Sequence, residues 1–91
     1  MTENIQIGDI VISTSGRDKG KYFLVIGVYD KLVKIVNGKQ RKLGATKSKN
    51  QKHVKSVQSQ VLVDLAVRIG KGELLSNSKL YKAINLKTIK K

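Results

Sequence analysis

The chain has no cysteine. Disulfide stapling, thiol nucleophiles and zinc sites built on thiolates are therefore excluded. It has no tryptophan, and aromatic residues make up 4% of the sequence. Base stacking on an exposed aromatic platform is then not its main mode of binding. One histidine and six carboxylates leave little for acid–base or metal chemistry. No nucleophile–base constellation and no phosphate-cradling loop of the nucleotide-hydrolase type is present. The expectation is a protein without enzymatic activity, cofactor or metal. Proline is also absent, so there is no proline-rich linker. The longest apolar runs, residues 23–28 and 61–67, are interrupted by Gly27 and Asp64. Both fall well short of the roughly 20 residues that span a bilayer. The first residues carry neither the basic nor the apolar region of a secretion signal. A cytoplasmic protein with no membrane partner is expected.

What the sequence has in excess is positive charge. Its 91 residues hold 19 Lys and Arg against six Asp and Glu, a net charge of +13. Such an uncompensated field opposes compaction, and an anionic partner is the simplest reason to carry it. Apolar residues make up 40% of the chain, enough for a small core and too many for a disordered polycation. The length suits one domain, or one small domain with an appendage. A fold of this size buries only about 60% of its unfolded surface, so modest stability is expected.

Residues 1–57 have the pattern of strands and turns. Ile5, Ile7, Ile10 and Ile12 mark a first extended segment, interrupted by a turn at Gly8-Asp9. Residues 13–21 are polar and basic, with Gly16 and Gly20 four apart. That spacing suits a tight basic loop needing positive φ or close backbone approach. Residues 22–29 and 32–36, joined by Asp30-Lys31, form a second and a third strand. Asn37-Gly38 is the strongest hairpin signal, because both residues tolerate the positive φ of a type I′ turn. It predicts a fourth strand over 39–43, a loop over 44–51 and a fifth strand over 53–57. Five short strands in so few residues suggest a mainly β fold, a small SH3-like barrel. Lysines on any remaining edge would oppose aggregation.

After residue 58 the period changes. Leu62, Leu65, Ala66 and Ile69 fall on one helical face. Ser59 is a candidate N-cap and Gly70 a candidate left-handed C-terminal cap. Ser76 would cap a second helix with Leu75 and Leu80 at the staple positions, and with Tyr81, Ala83 and Ile84 on its apolar side. Each helix is too short to stand alone in water. The expectation is a barrel over 1–57 followed by a C-terminal helical hairpin over 58–91, with a frayed basic tail from Lys87.

The cations are not spread evenly. No carboxylate occurs from Lys31 to Val63, and 12 of the 19 cations lie between Arg17 and Lys55. Arg17, Lys19, Lys21, Lys39, Arg41, Lys42, Lys47, Lys49, Lys52, His53 and Lys55 are the candidate phosphate-binding residues. Adjacent loops of a small barrel can gather such residues into one phosphate-binding face. The alternative is a solvated lysine face, although such faces normally mix both signs. Lys outnumbers Arg 16 to 3. Lys acts as a point charge and Arg as a bidentate fork, so contacts should be mostly to backbone phosphate. Neutralising roughly five phosphates gives a log–log salt slope of order −3 to −5.

Residues 8–21, Gly-Asp-Ile-Val-Ile-Ser-Thr-Ser-Gly-Arg-Asp-Lys-Gly-Lys, followed by the apolar run through Val28, resemble a KOW motif. That motif occurs in ribosomal proteins and transcription elongation factors. The core from Thr14 to Lys21, its continuation over residues 25–30, and Asn50-x-Lys52-His53-Val54 resemble the archaeal and eukaryotic large-subunit ribosomal protein fourteen-e family and its bacterial KOW-domain relatives. Gly72-Glu73 before Ser76-Asn77-Ser78 is similar to the C-terminal part of those bacterial chains. The resemblance implies an SH3-like barrel, ribosome association and binding of structured RNA. Arg17, Lys19 and Lys21 would fall in the KOW loop, and Lys52 and His53 in the second element. The longer segment of the fourteen-e proteins after the third strand is absent here, where Asn37-Gly38 stands instead. A fixed place in the ribosome is thus less directly implied than RNA binding.

Plainer roles compete at single positions. Gly16 and Gly20 suit turn formation as well as phosphate contact. His53 suits a strand residue better than a base, with no partner beside it in sequence. Asp9 and Asp18 suit local turn hydrogen bonds. Tyr22, Phe23 and Tyr29 suit core or half-core positions, with stacking on a base as the alternative. A second function is a KOW-type protein-interaction module that docks on transcription or translation machinery through its helices. A third is a DNA-compacting basic protein.

Overall fold

The structure is a computed structural model and describes residues 5–39, 46–73 and 76–88. Among the described residues there are five strands: β1 (Ile10–Ser13), β2 (Tyr22–Tyr29), β3 (Leu32–Val36), β4 (Lys47–Asn50) and β5 (Val54–Gln58). A single 3-10 turn, Gln51–His53, joins β4 to β5, and two helices follow, α1 (Val63–Gly70) and α2 (Asn77–Thr88). The sheet is antiparallel, with strand order β4-β3-β2-β1-β5. The chain is mainly β with two C-terminal helices, as expected.

The sheet must curl. Five strands laid flat at about 4.8 Å spacing would put the end strands about 19 Å apart. Four residue steps from Asn50 to Val54 reach at most about 14 Å. Register breaks at Val25/Gly27 and at Ile10/Val11 supply bulges, which bend and twist strands. β4 and β5 do not pair with each other among the described residues. The sheet is therefore curled but open, and hydrogen bonding does not close it into the expected barrel.

Alternation on the strands makes two cores. Val11, Phe23, Val25, Val33, Ile35 and Val54 form one cluster without any helical residue, enclosed by the curl itself. Ile10, Leu24, Ile26 and Val36 face the other way, against Ala66 and Ile69 of α1 and Leu80 and Ile84 of α2. β2 lies mid-sheet and is buried on both faces, which is why its sequence is apolar almost without alternation. The helices lie against the sheet, and their apolar sides meet in one shared cluster.

Several expectations need correction. The predicted fourth strand at 39–43 lies outside the described residues apart from Lys39. β4 instead forms from 47–50, within the segment expected to be a loop. Lys-Ser-Lys-Asn carries no apolar signal because backbone pairing to β3 builds this end strand, and its lysines suit an edge. The fifth strand begins at Val54, with His53 in the 3-10 turn. The type I′ turn fails because only Gly38 takes positive φ. Asn37 is buried instead, donating to the Tyr22 carbonyl at 3.1 Å and accepting from the Lys39 N–H at 3.0 Å. The two-residue hairpin turn is Asp30-Lys31, between paired Tyr29 and Leu32, with Asp30 at φ +57.

Helix ends differ likewise. α1 starts after Leu62 without a side-chain cap, so Ser59 is not its N-cap. Its entry is fixed from elsewhere, by Leu62 N–H on the Gly8 carbonyl and Gln60 N–H on Asp9 Oδ1. Its C-terminal glycine is Gly72, at φ +89, and not Gly70. Gly72 N–H reaches the Ile69 carbonyl and Glu73 N–H that of Arg68, the pair of bonds of a Schellman end. Ser76 does cap α2, accepting from Lys79 N–H at 3.2 Å, whereas its staple partner Leu75 lies outside the described residues. Lys87 and Thr88, expected in a frayed tail, belong to α2, and the Lys87 carbonyl accepts from Gln58 Nε2.

Candidate nucleic-acid interface

The basic loop between β1 and β2 is built on its two glycines. Gly16 and Gly20 take φ +82 and +87, a conformation that costs other residues about 1–2 kcal/mol. Nothing lies within 4 Å of a Cβ placed at Gly20, so positive φ, not close approach, requires glycine there. Backbone bonds close the loop, from Gly20 N–H to the Ser13 carbonyl and from Ser13 N–H to the Lys21 carbonyl.

A buried ion pair fastens this loop to the far end of the sheet. Lys49 Nζ lies 2.6 Å from Asp18 Oδ1, with both side chains less than a tenth exposed. The same ammonium donates to Ser13 Oγ at 2.7 Å and to the Ser15 carbonyl at 2.8 Å. Ser13 Oγ donates in turn to Asp18 Oδ1 at 2.8 Å. Burial pushes the Asp18 carboxyl upward, but the hydrogen bonds from Lys49 and Ser13 and the Lys49 charge outweigh it, leaving it below its ordinary value. Asp18 thus bonds beyond its own turn, unlike the local role expected for it. Asp9 combines both kinds of contact, accepting from Gln6 N–H locally and from Gln60 N–H at a distance.

With Asp18 and Lys49 turned inward, Arg17, Lys19 and Lys21 remain exposed on the loop. Thr14, at its base, donates its N–H to the His53 carbonyl at 2.8 Å. Beside it lies a groove of about 690 Å³, lined by Thr14, Lys31, Asn50, Lys52 and Lys55 among others. The 3-10 turn forms one wall. Gln51 N–H and Nε2 tie it to the Lys31 and Asp30 carbonyls of the β2–β3 turn, at 2.8 and 2.9 Å. Three lysines thus line one groove together with Asp30, and hydrogen bonds from Gln51 hold the backbone that carries Lys31.

The predicted residues therefore divide. Lys52 and Lys55 share the groove, joined by Lys31. Lys21 and Lys39 share a second, smaller cleft against α2. Lys47 is exposed on β4 and His53 is half-buried in the 3-10 turn. Lys49 sits in the ion pair, its ammonium facing protein. Arg41 and Lys42 lie outside the described residues. Gln51 in the groove, and Tyr81 and Asn85 in the cleft, carry no site signal in the sequence, since only the curl and the helix packing gather them; Thr14 and Asn50, part of the motif segments, join them there. Among the described residues no cluster of three His, Asp or Glu could hold a metal ion, and no helix is long and apolar enough to cross a membrane. Compared with known proteins, the chain matches no family model and no curated protein.

Proposed function

We propose that this chain is a non-enzymatic RNA-binding protein that docks on structured, ribosomal RNA. The observation that carries the proposal is the fastened loop. Asp18, the one carboxylate inside it, is neutralised from within by Lys49, so Arg17 and Lys19 stay exposed on a loop with no free carboxylate, and Thr14 at its base opens on a groove where Lys31, Lys52 and Lys55 outnumber the single carboxylate Asp30. Rigid presentation of mostly lysine charge suits phosphate contacts and recognition by shape. The resemblance of residues 8–57 to KOW segments and the fourteen-e family supports the same reading. So does the strand order, with its end strands bridged by a 3-10 turn, which suits an SH3-like barrel whose closure is incomplete. Ribosome association follows from that resemblance.

The protein-interaction reading draws less support, because Ala66, Ile69, Leu80 and Ile84 of the helices are buried against the sheet and leave only Val67 and Leu86 as large exposed apolar side chains among the described helical residues.

The test compares wild type with an Arg17→Ala/Lys19→Ala variant on a folded ribosomal RNA fragment across a salt series. Loss of two phosphate contacts should weaken binding and reduce the salt slope by about two, with the melting temperature unchanged. Unchanged affinity and slope at about 0.15 M salt would overturn the assignment. Equal competition by duplex DNA would move the protein to the DNA-compacting class. Sedimentation with the large ribosomal subunit at high salt tests the ribosomal part of the proposal.

A further inference from the structure

The second cleft lies on another side of the loop, where the sheet meets α2. It measures about 100 Å³ and is lined by Lys21, Tyr22, Lys39, Tyr81, Ile84 and Asn85 among others. Two tyrosines thus come to one small opening from separate elements, Tyr22 at the start of β2 and Tyr81 on the second turn of α2. Tyr22 is 37% exposed and Tyr81 half-buried, so both present surface to solvent while anchored. Lys39 Nζ stands 5.3 Å from the centroid of the Tyr81 ring, within range of a cation–π contact. That ring face is electron-rich, and exposed Lys39 is what stands over it. Asn85 lies one turn further along α2 and lines the same opening. Its side-chain amide, a donor and an acceptor, has no protein partner among the described residues. Lys21 and Lys39 are exposed at the rim.

Resting on the RNA-binding reading, we infer that this cleft is a subsite for one unpaired nucleobase of the bound RNA. The base stacks on Tyr81, with Tyr22 closing the opposite side, and displaces the Lys39 ammonium from the ring toward the adjoining phosphate. Asn85 meets the base edge, and Lys21 takes a second phosphate. The chemistry selects unpaired nucleotides, because a base inside a duplex has no free face to stack. α2 is then part of the RNA-binding surface as well as of the core.

The experiment measures binding of full-length wild type, Tyr81→Phe, Tyr81→Leu and Tyr81→Ala to a single-stranded oligouridine and to an RNA duplex of matched charge at one salt concentration. Intrinsic tyrosine fluorescence is followed in parallel, which the absence of tryptophan makes readable. Stacking of one base is worth about 1–3 kcal/mol, so Tyr81→Leu and Tyr81→Ala should weaken single-strand binding at least about fivefold. Duplex binding should stay within about twofold, Tyr81→Phe should match wild type, and oligouridine should quench wild-type tyrosine emission. If Tyr81→Ala fails to fold, Tyr81→Leu keeps an apolar side chain of similar bulk at the position and carries the test alone. Equal effects on both RNAs, or no effect on either, with wild type binding both, would overturn the subsite and leave the RNA-binding proposal standing. Failure of wild type to bind either RNA would overturn the subsite, and the folded ribosomal fragment then decides separately whether the RNA-binding proposal stands.

Discussion

Lys49 Nζ and Asp18 Oδ1 meet at 2.6 Å across 31 residues of chain. One comes from the end strand β4 and the other from the loop that follows β1, so the contact crosses the mouth of the curled sheet. Taking two charges out of water largely offsets their attraction. The pair therefore adds little net stability. What it does is select one loop geometry, with Asp18 inward and Arg17 and Lys19 outward.

Breaking the pair from one side should be severe. Lys49→Met leaves a buried carboxylate with only Ser13 and its own backbone N–H as partners, and a loss of about 3–5 kcal/mol is expected in urea unfolding. Lys49→Met combined with Asp18→Leu should recover much of that loss while loosening the loop, giving a folded protein with weaker RNA binding. A loss under about 1 kcal/mol for Lys49→Met alone would mean that solvent screens the pair as it does at a surface.

The same pair sets an acid limit. Asp18 is held below its ordinary value of 3.8 in the folded state, so the unfolded chain takes up its proton first as pH falls. Its stabilising contribution is complete above about pH 4–5 and is lost as pH drops through 3.8 toward the lowered folded value. Thermal melts from pH 7 to pH 3 should fall more steeply for wild type than for Asp18→Asn, although the variant is less stable at pH 7. Parallel curves would assign the acid sensitivity to other carboxylates.

Two glycines with similar φ should respond differently to alanine. At Gly20 (φ +87) a Cβ meets nothing, and Gly20→Ala should cost only the left-handed strain, about 1–2 kcal/mol. At Gly38 (φ +83) a Cβ would overlap the main-chain carbonyl of Asn77, where α2 begins. Gly38→Ala should cost distinctly more, because main chain cannot rotate away. Denaturation midpoints of the two variants check the order.

Removing the helices should not leave an intact sheet. A chain ending at residue 58 exposes Ile10, Leu24, Ile26 and Val36, now covered by α1 and α2, and each such side chain is worth about 1.5–3 kcal/mol when buried. The truncated protein is expected to lose its cooperative melt or to aggregate. A monomeric truncation with a sharp melt would make the helices an appendage.

Much of this was legible in local pattern. The boundaries of β2 and β3 follow from β-branched and aromatic runs ended by Asp30-Lys31 and Asn37. The inward face of α1 follows from the spacing of Ala66 and Ile69, and the start of α2 from Ser76. Positive φ at Gly16 and Gly20 follows from needs that only glycine meets without strain. The site was less legible, because charge content says which residues are cationic but not which way they face. Lys47 and Lys49 sit two apart on one strand, yet one is exposed and the other is in the ion pair.

By itself, then, the sequence determined what short-range physics encodes: the strand-to-helix change of period, the glycine loop, and a long stretch of cations without carboxylates. Tertiary structure decided what depends on contacts between distant residues. It made an edge strand of Lys47–Asn50, whose pairing with β3 needs no apolar side chain. It started α1 from bonds to Gly8 and Asp9 instead of a local cap. It turned Lys49 inward to Asp18 and brought Tyr22 to the same cleft as Tyr81. Those outcomes follow from curling a five-stranded sheet tightly enough for a three-residue turn to join its ends, a constraint that exists only once all five strands are paired.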